Sequence, residues 1–276
     1  MNRMRITTRG TGALVMACSL WVTACTTSPT GRSQLKLFPE QQVESMGTQA
    51  YKEMKQKQPI ADDPRVTSYV RCVADAITRV LPGEHGKTHW EVTVFRSDQI
   101  NAFALPGGKI GVYSGLLKVA QTPGQLATVI GHEVGHVLAG HANERLSTNA
   151  ATQTGLDLLS IFVGSGGFIE QQGLALLGLG AQVGIILPFS RTQESEADEI
   201  GAELMAQAGF DPRQGVELWQ NMSKAGGDQP PQFLSTHPSP SNRIEDLRDH
   251  MPRAMRLYER AQFDGRNPEC TRPATK

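Results

Sequence analysis

Gly131-His132-Glu133-Val134-Gly135-His136-Val137-Leu138-Ala139-Gly140-His141 holds three histidines and one acid in eleven residues. Thr122-Pro123-Gly124-Gln125 opens a helix ahead of it: Thr122 caps, Pro123 suits the first helical position, and Gln125 completes a capping box. The helix is expected to run to about Leu146. Residues four apart on a helix share a face, so His132 and His136 aim two imidazoles at one point. Neutral imidazole nitrogen at close range suits zinc. Glu133 lies about 100° further round, outside the plane of ligation but in position to act as a general base. Gly131 and Gly135 each cost about 1 kcal/mol inside a helix, a cost that makes sense where something must approach closely.

A third ligand must come from elsewhere. His141 is rejected: the elongated motif needs Gly at 139 and His at 142, where this chain has Ala139 and Ala142. His141 is five residues past His136 and so points to another face; it reads as a polar residue or as one that supports a ligand from outside the set. Ser190-Arg191-Thr192-Gln193-Glu194-Ser195-Glu196-Ala197-Asp198 puts Glu194 and Asp198 on one face of a second helix. A carboxylate there would complete two histidines and a glutamate, leaving a fourth position open. Asp198 could then accept from the free ring nitrogen of a ligating histidine. The plainer alternative is an acidic solvated face, to which Glu196, Glu199 and Glu203 belong in part, and spacing alone leaves Glu194 and the other acids equally open.

The rest of the chain frames this pair. Pro39–Gln58 and Pro64–Val80 read as helices, and Trp90–Phe95 as a strand. Asn101-Ala102-Phe103-Ala104-Leu105 and Lys109–Tyr113 form a hairpin turned by Pro106-Gly107-Gly108. Ser190–Gln207 is a helix ended by Gly209, Asp211-Pro212 starts the next, and Pro240–His250 and Pro252–Phe263 close the chain as two more. The fold class is mainly α with a small β-sheet. Gly173–Leu187 is apolar over about 15 residues, short of the roughly 20 a bilayer demands, and is read as buried or groove-covering. A formal net charge of zero argues against a nucleic-acid binder.

Arg3, Arg5 and Arg9, then the apolar run Ala13–Val22, make a signal peptide over residues 1–24. Val22-Thr23-Ala24-Cys25 resembles a bacterial lipobox, with Cys25 as the lipidated residue, residues 25–38 as a lipidated tether, and 26–34 flexible. Thr26 after the cysteine, by resemblance to lipoprotein sorting, favours the outer membrane. Cys72 and Cys270 remain as a pair in an oxidising compartment, and a disulfide between them would tie an early helix to a C-terminal tail (264–276). Residues 39–263 form one domain.

His-Glu-x-x-His followed some 55 residues later by Ser-Arg-x-x-Glu-x-Glu-Ala-Asp resembles the HtpX/CAAX-prenyl-protease zinc metallopeptidases, metallopeptidase family 48. Asn101–Gly108 is similar to that family's strand before the active helix, and Ser235-Thr236-His237-Pro238 with Arg243 to its downstream His-Pro segment. The resemblance covers about residues 40–250. It implies a zincin-like fold with one zinc per chain on His132, His136 and Glu194, Asp198 as orienting acid, and Glu133 as base. His237 would either stabilise the tetrahedral intermediate or plug the metal, and Arg243 would lie near the same oxyanion. The lipobox without flanking membrane helices resembles the periplasmic lipoprotein branch. The activity implied is a periplasmic endopeptidase held to the outer membrane by Cys25. It would act on unfolded or misassembled envelope proteins, with substrate paired to residues 101–105. The competing reading is an assembly factor or chaperone with a plugged, regulatory zinc site.

Overall fold

A computed structural model describes residues 25–163, 188–225, 231–238 and 242–274. Its elements are β1 (Cys25–Thr27), β2 (Ser33–Leu35), α1 (Glu40–Lys57), α2 (Pro64–Thr78), β3 (Glu91–Phe95), β4 (Ala102–Leu105), β5 (Lys109–Tyr113), α3 (Pro123–Leu138), α4 (His141–Val163), α5 (Arg191–Gln207), α6 (Gln214–Ala225), α7 (Gln232–Thr236) and α8 (Arg243–Phe263). Among the described residues the fold is mostly helical with two small sheets.

The strand order β3-β5-β4 makes β5 central, parallel to β3 and antiparallel to β4. Side chains alternate across a sheet, and both faces here are covered. Val92, Val94, Ile110 and Val112 join Val70, Val73 and Ile77 of α2 and Leu126, Val129 and Ile130 of α3 in the main core. On the other face, Phe95, Phe103 and Tyr113 pack with Tyr51 of α1, whose hydroxyl donates to Thr93 Oγ1 at 2.6 Å. Strand β4 lies at the sheet edge beside α3.

Helix α3 runs through the middle of the molecule, buried from Gly124 to Val137. Thr122 caps it by accepting from Gln125 N, while the Gln125 side chain accepts from Gln121 N, one residue before the cap. What approaches Gly131 and Gly135 is the backbone of α5. A Cβ on Gly131 would sit 2.8 Å from Gly201 O, and one on Gly135 2.9 Å from Ala197 O. The glycines therefore let the two helices touch where His132 and Glu194 must meet. Ser190 caps α5 in a full capping box with Gln193.

Several sequence expectations need correction. Helix α3 does not run to Leu146. It stops at Leu138 because Gly140 takes a left-handed φ of 67°, which ends helices readily only at glycine, and α4 restarts at His141. The two closing helices are one, α8, with Pro252 inside it. Proline removes one backbone donor, and packing of Leu247, Ala254 and Ala261 holds the helix through that loss. Helix α6 begins at Gln214, and Asp211 instead caps a turn by accepting from Arg213 N. Residues 26–34 are not a free tether: β1 pairs with β2 as a small hairpin docked on α4 and α5. The expected disulfide between Cys72 and Cys270, by contrast, is present. Gly173–Leu187 lies outside the described residues, and among those described no helix is long and apolar enough to cross a membrane.

Candidate metal centre

One helical turn separates His132 from His136, and α5 brings Glu194 against both. His132 Nε2 is 3.1 Å from His136 Nε2 and 3.4 Å from Glu194 Oε2, and His136 Nε2 is 3.4 Å from Glu194 Oε1. His237, just after α7, adds Nδ1 at 3.2 Å from His132 Nε2 and 3.0 Å from Glu194 Oε1. Each of the four offers one ligand atom within 4.8 Å of the others, and all four are buried.

These separations fit a metal. Four ligands at about 2.1 Å from a tetrahedral ion lie roughly 3.4 Å apart, close to the spacings found. The donor chemistry fits as well. His132 Nδ1 faces the Asp198 carboxylate at 2.8 Å and so carries its proton there. Once a metal displaces the proton on Nε2, as ligation requires, His132 turns that lone pair into the cluster, toward a second imidazole and a carboxylate. A divalent cation answers that convergence of lone pairs.

Charge around the cluster is ordered by Arg243 at the start of α8. Its Nη2 donates to Glu194 Oε2 at 2.7 Å, and its Nε donates to Asp198 Oδ2. The guanidinium stacks 3.8 Å over the Trp219 ring. Two of its three nitrogens are thus committed to carboxylates, one in the cluster (Glu194) and one just outside it (Asp198). Arg243, expected near an oxyanion, also orients Glu194 and Asp198, a contact that its place in the sequence does not signal. Burial works against a charged Asp198, but Arg243 and His132 outweigh it and hold its carboxyl below the usual range. Burial likewise opposes charge on His132, yet Glu194 and Asp198 lift its pKa to about 9. The same desolvation pushes His136 well down.

Glu133 stands beside the ligands rather than among them. Its Oε2 accepts from Ala104 N of β4 at 3.2 Å, and its buried Oε1 has no hydrogen-bond partner but lies 3.4 Å from His237 Nε2. Burial raises its pKa, against the pull of His237 and His132. Of the expected strand residues, Ala102–Leu105 form β4, and Asn101 precedes it, its side chain accepting from Ala102 N.

Two further features, at Phe189 and Glu196, have no signal in the sequence, and a third, at His141, reads from the sequence as either a plain polar residue or a support for a ligand. Phe189 stacks on His136 with centroids 3.7 Å apart and on His237 at 5.0 Å, and Arg145 lies 3.7 Å over its outer face. Glu196 is buried, not solvated. His141 is folded back by the Gly140 turn, so its Nδ1 meets His136 Nδ1 at 2.8 Å while its Nε2 meets Glu196 Oε2 at 3.1 Å. It lies outside the ligand cluster, as the motif spacing had required.

A helix-borne His-Glu-x-x-His pair joined by a glutamate from a second helix defines the gluzincin class of metallopeptidase sites. The chain matches the sequence family described as Peptidase family M48 over residues 61–251, and it belongs to that family. It is 39% identical over 175 residues to the mitochondrial metalloendopeptidase OMA1 of Arabidopsis thaliana, covering 63% of this chain and 34% of that one. It is 32% identical over 268 residues to the mitochondrial metalloendopeptidase OMA1 of Danio rerio, covering 91% and 55%. It is also 32% identical over 216 residues to the beta-barrel assembly-enhancing protease of Yersinia pestis, covering 74% and 43%. The chain thus spans about a third to about a half of the length of these relatives.

Proposed function

We propose that this protein is a zinc-dependent endopeptidase of the bacterial cell envelope, cleaving unfolded or misassembled periplasmic and outer-membrane proteins. One observation carries the reading: Glu133, a buried carboxylate with a free oxygen, sits between the ligand cluster and an edge strand that can receive a peptide. Zinc held by His132, His136 and Glu194 would polarise the scissile carbonyl and bring the pKa of a water towards about 7. Glu133 would take the proton at Oε1 and pass it to the leaving amine, while Ala104 N fixes its other oxygen. Asp198 and Arg243 hold His132 and Glu194 in place. An extended substrate would add to β4 near residues 101–105 through its backbone, so side-chain selectivity should be loose. The lipid anchor on Cys25 and placement in the periplasm at the outer membrane belong to this reading. They rest on the lipobox-like sequence, with the bacterial relative's name in keeping.

The test is Glu133→Gln. It should keep one zinc per chain and lose casein cleavage by roughly 10²-fold or more. A variant that cleaves as well as the parent rules out the proposed base.

The second reading, an assembly factor with a plugged site, has its own observation. His237 Nδ1 lies within the ligand cluster, and catalytic zinc sites keep a position open where closed ones fill it with protein. A plug that moves aside accommodates both readings. His237→Ala should then raise casein cleavage and leave zinc bound. If cleavage falls while zinc stays, His237 serves the oxyanion instead.

A further inference from the structure

The outer side of His136 connects to the N-terminal hairpin through a continuous series of polar contacts, buried at His141 and part-buried at the hairpin. At the outer end, Thr30 Oγ1 donates to Glu196 Oε1 at 2.7 Å and Arg32 Nε donates to Glu196 Oε2 at 2.9 Å. Both Nη atoms of Arg32 grip Glu144, Nη2 at 2.7 Å, and Gln193, next to the ligand Glu194, donates to the same carboxylate at 2.8 Å. Gln34 of β2 is 2% exposed and donates to Ala139 O at the end of the metal helix at 2.8 Å. Such docking is more than a tether needs.

Proton placement follows from the carboxylate inward. Glu196 accepts from its hairpin partners and is ionised, so His141 Nε2, facing it at 3.1 Å, carries a proton. A neutral His141 is then bare at Nδ1. Its neighbour at 2.8 Å, His136 Nδ1, must supply the hydrogen of that contact. His136 is thereby locked as the tautomer whose Nε2 lone pair points into the ligand cluster. Ligating histidines usually give their outer N–H directly to a carboxylate or carbonyl. Here a second imidazole stands between.

We propose that His141 and Glu196, held by Thr30 and Arg32 of the hairpin, form a relay that positions His136 for metal, making residues 25–35 part of the metal centre. The proposal rests on the metallopeptidase reading for what the metal does, but not for its own measurement. Thr30 is five residues past Cys25, at most about 18 Å of extended chain. A lipid on Cys25 would therefore hold the metal centre's outer support close to a bilayer surface.

The experiment uses the full chain in detergent, loaded with Zn²⁺ or Co²⁺. Zn²⁺ affinity is measured by chelator competition and ligand geometry by the Co²⁺ visible spectrum. Glu196→Gln, His141→Phe and Arg32→Ala should each weaken Zn²⁺ binding, Glu196→Gln by about 10-fold, and alter the Co²⁺ bands. Asn143→Ala serves as control. It breaks a hairpin-side contact to Phe38 O that does not lead to His136, so it should lower thermal stability and leave the spectrum alone. Thr30→Val, at the outermost contact, gives a milder version of the same result should the deeper variants fail to fold. Parental affinity and spectrum in the relay variants, or an equal spectral change in Asn143→Ala, would overturn the proposal. A parent that binds one Zn²⁺ but cleaves nothing sinks only the peptidase reading. A parent that binds none sinks both.

Discussion

His132 and His136 are neighbours on one helix face, yet their outer ring nitrogens are held in different ways. His132 meets Asp198 directly, and Asp198 is gripped by Arg243, which also holds Glu194. That support is short, fully buried and balanced by one guanidinium packed on Trp219. His136 meets His141, then Glu196, then two residues from the start of the described chain. Its outer end is only partly buried, with the Arg32 side chain 24% exposed. Removing water strengthens each contact but punishes each loss. The His132 side should therefore behave as a rigid structural unit, and the His136 side as the adjustable one.

The largest expected effect tests that rigidity. Arg243→Ala leaves Glu194 and Asp198 buried without the guanidinium that bridges them, with His132 left to balance two carboxylates, and breaking a buried pair in this way costs about 3–5 kcal/mol. Urea unfolding of the metal-free protein checks it. Lysine should not restore the loss, because one ammonium cannot serve both carboxylates with a planar fork. A loss below about 1 kcal/mol would mean the cluster is wetter than its burial implies, and the contrast between the two sides would vanish.

Next in size is Asp198→Asn. The amide keeps the shape but no longer provides the charge that favours His132 Nδ1–H, and outer partners of this kind are worth about 10–100-fold in metal affinity. The loss should exceed that of Glu196→Gln, whose carboxylate acts one imidazole further away. Equal losses would show that the intervening His141 transmits the charge undiminished. A larger loss from Glu196→Gln would reverse the ranking of the two supports.

The same asymmetry governs what the sequence could reveal. The inward face is periodic: His132 and His136 at four-residue spacing, and Glu194 and Asp198 at four on a capped helix, are readable from helix geometry. Choosing Glu194 over the other acids needed the family resemblance. Gly131 and Gly135 signalled close approach, and α5 is what approaches. The His136 support is not periodic. It depends on the Gly140 break, and a lone glycine in a helical pattern reads as a tolerated cost rather than a turn. Once α3 is drawn through to Leu146, His141 faces away and Glu196 has nothing to meet. Arg32 sits in a short polar stretch whose composition reads as linker, and only the fold supplies its two acidic partners. Pro252 misled in the opposite direction, because packing along α8 carries the helix past the residue that local rules would end it at.

The smallest effect concerns pH, and it separates the two supports without mutation. Glu144, where Arg32 docks, faces Arg32, Gln193 and Gln34, with Glu196 and His141 beyond them. Burial raises its pKa, but the hydrogen bonds from Arg32 and Gln193 more than offset this, leaving it below the usual range. A carboxylate depressed on folding adds stability above its unfolded pKa of about 4.3, and that stability disappears as pH falls through the folded value. Hairpin docking should therefore be unchanged from pH 7 to about 5 and weaken only below about 4. A single partly exposed pair is worth roughly 1 kcal/mol or less. Amide exchange at Ser28 and Arg32, which bond to each other across the hairpin turn, reads this directly once intrinsic rates are removed. Burial also holds the His141 pKa below its ordinary value, against the pull of Glu196. Faster exchange already between pH 7 and 6 would mean that a histidine, not the carboxylates, controls the hairpin.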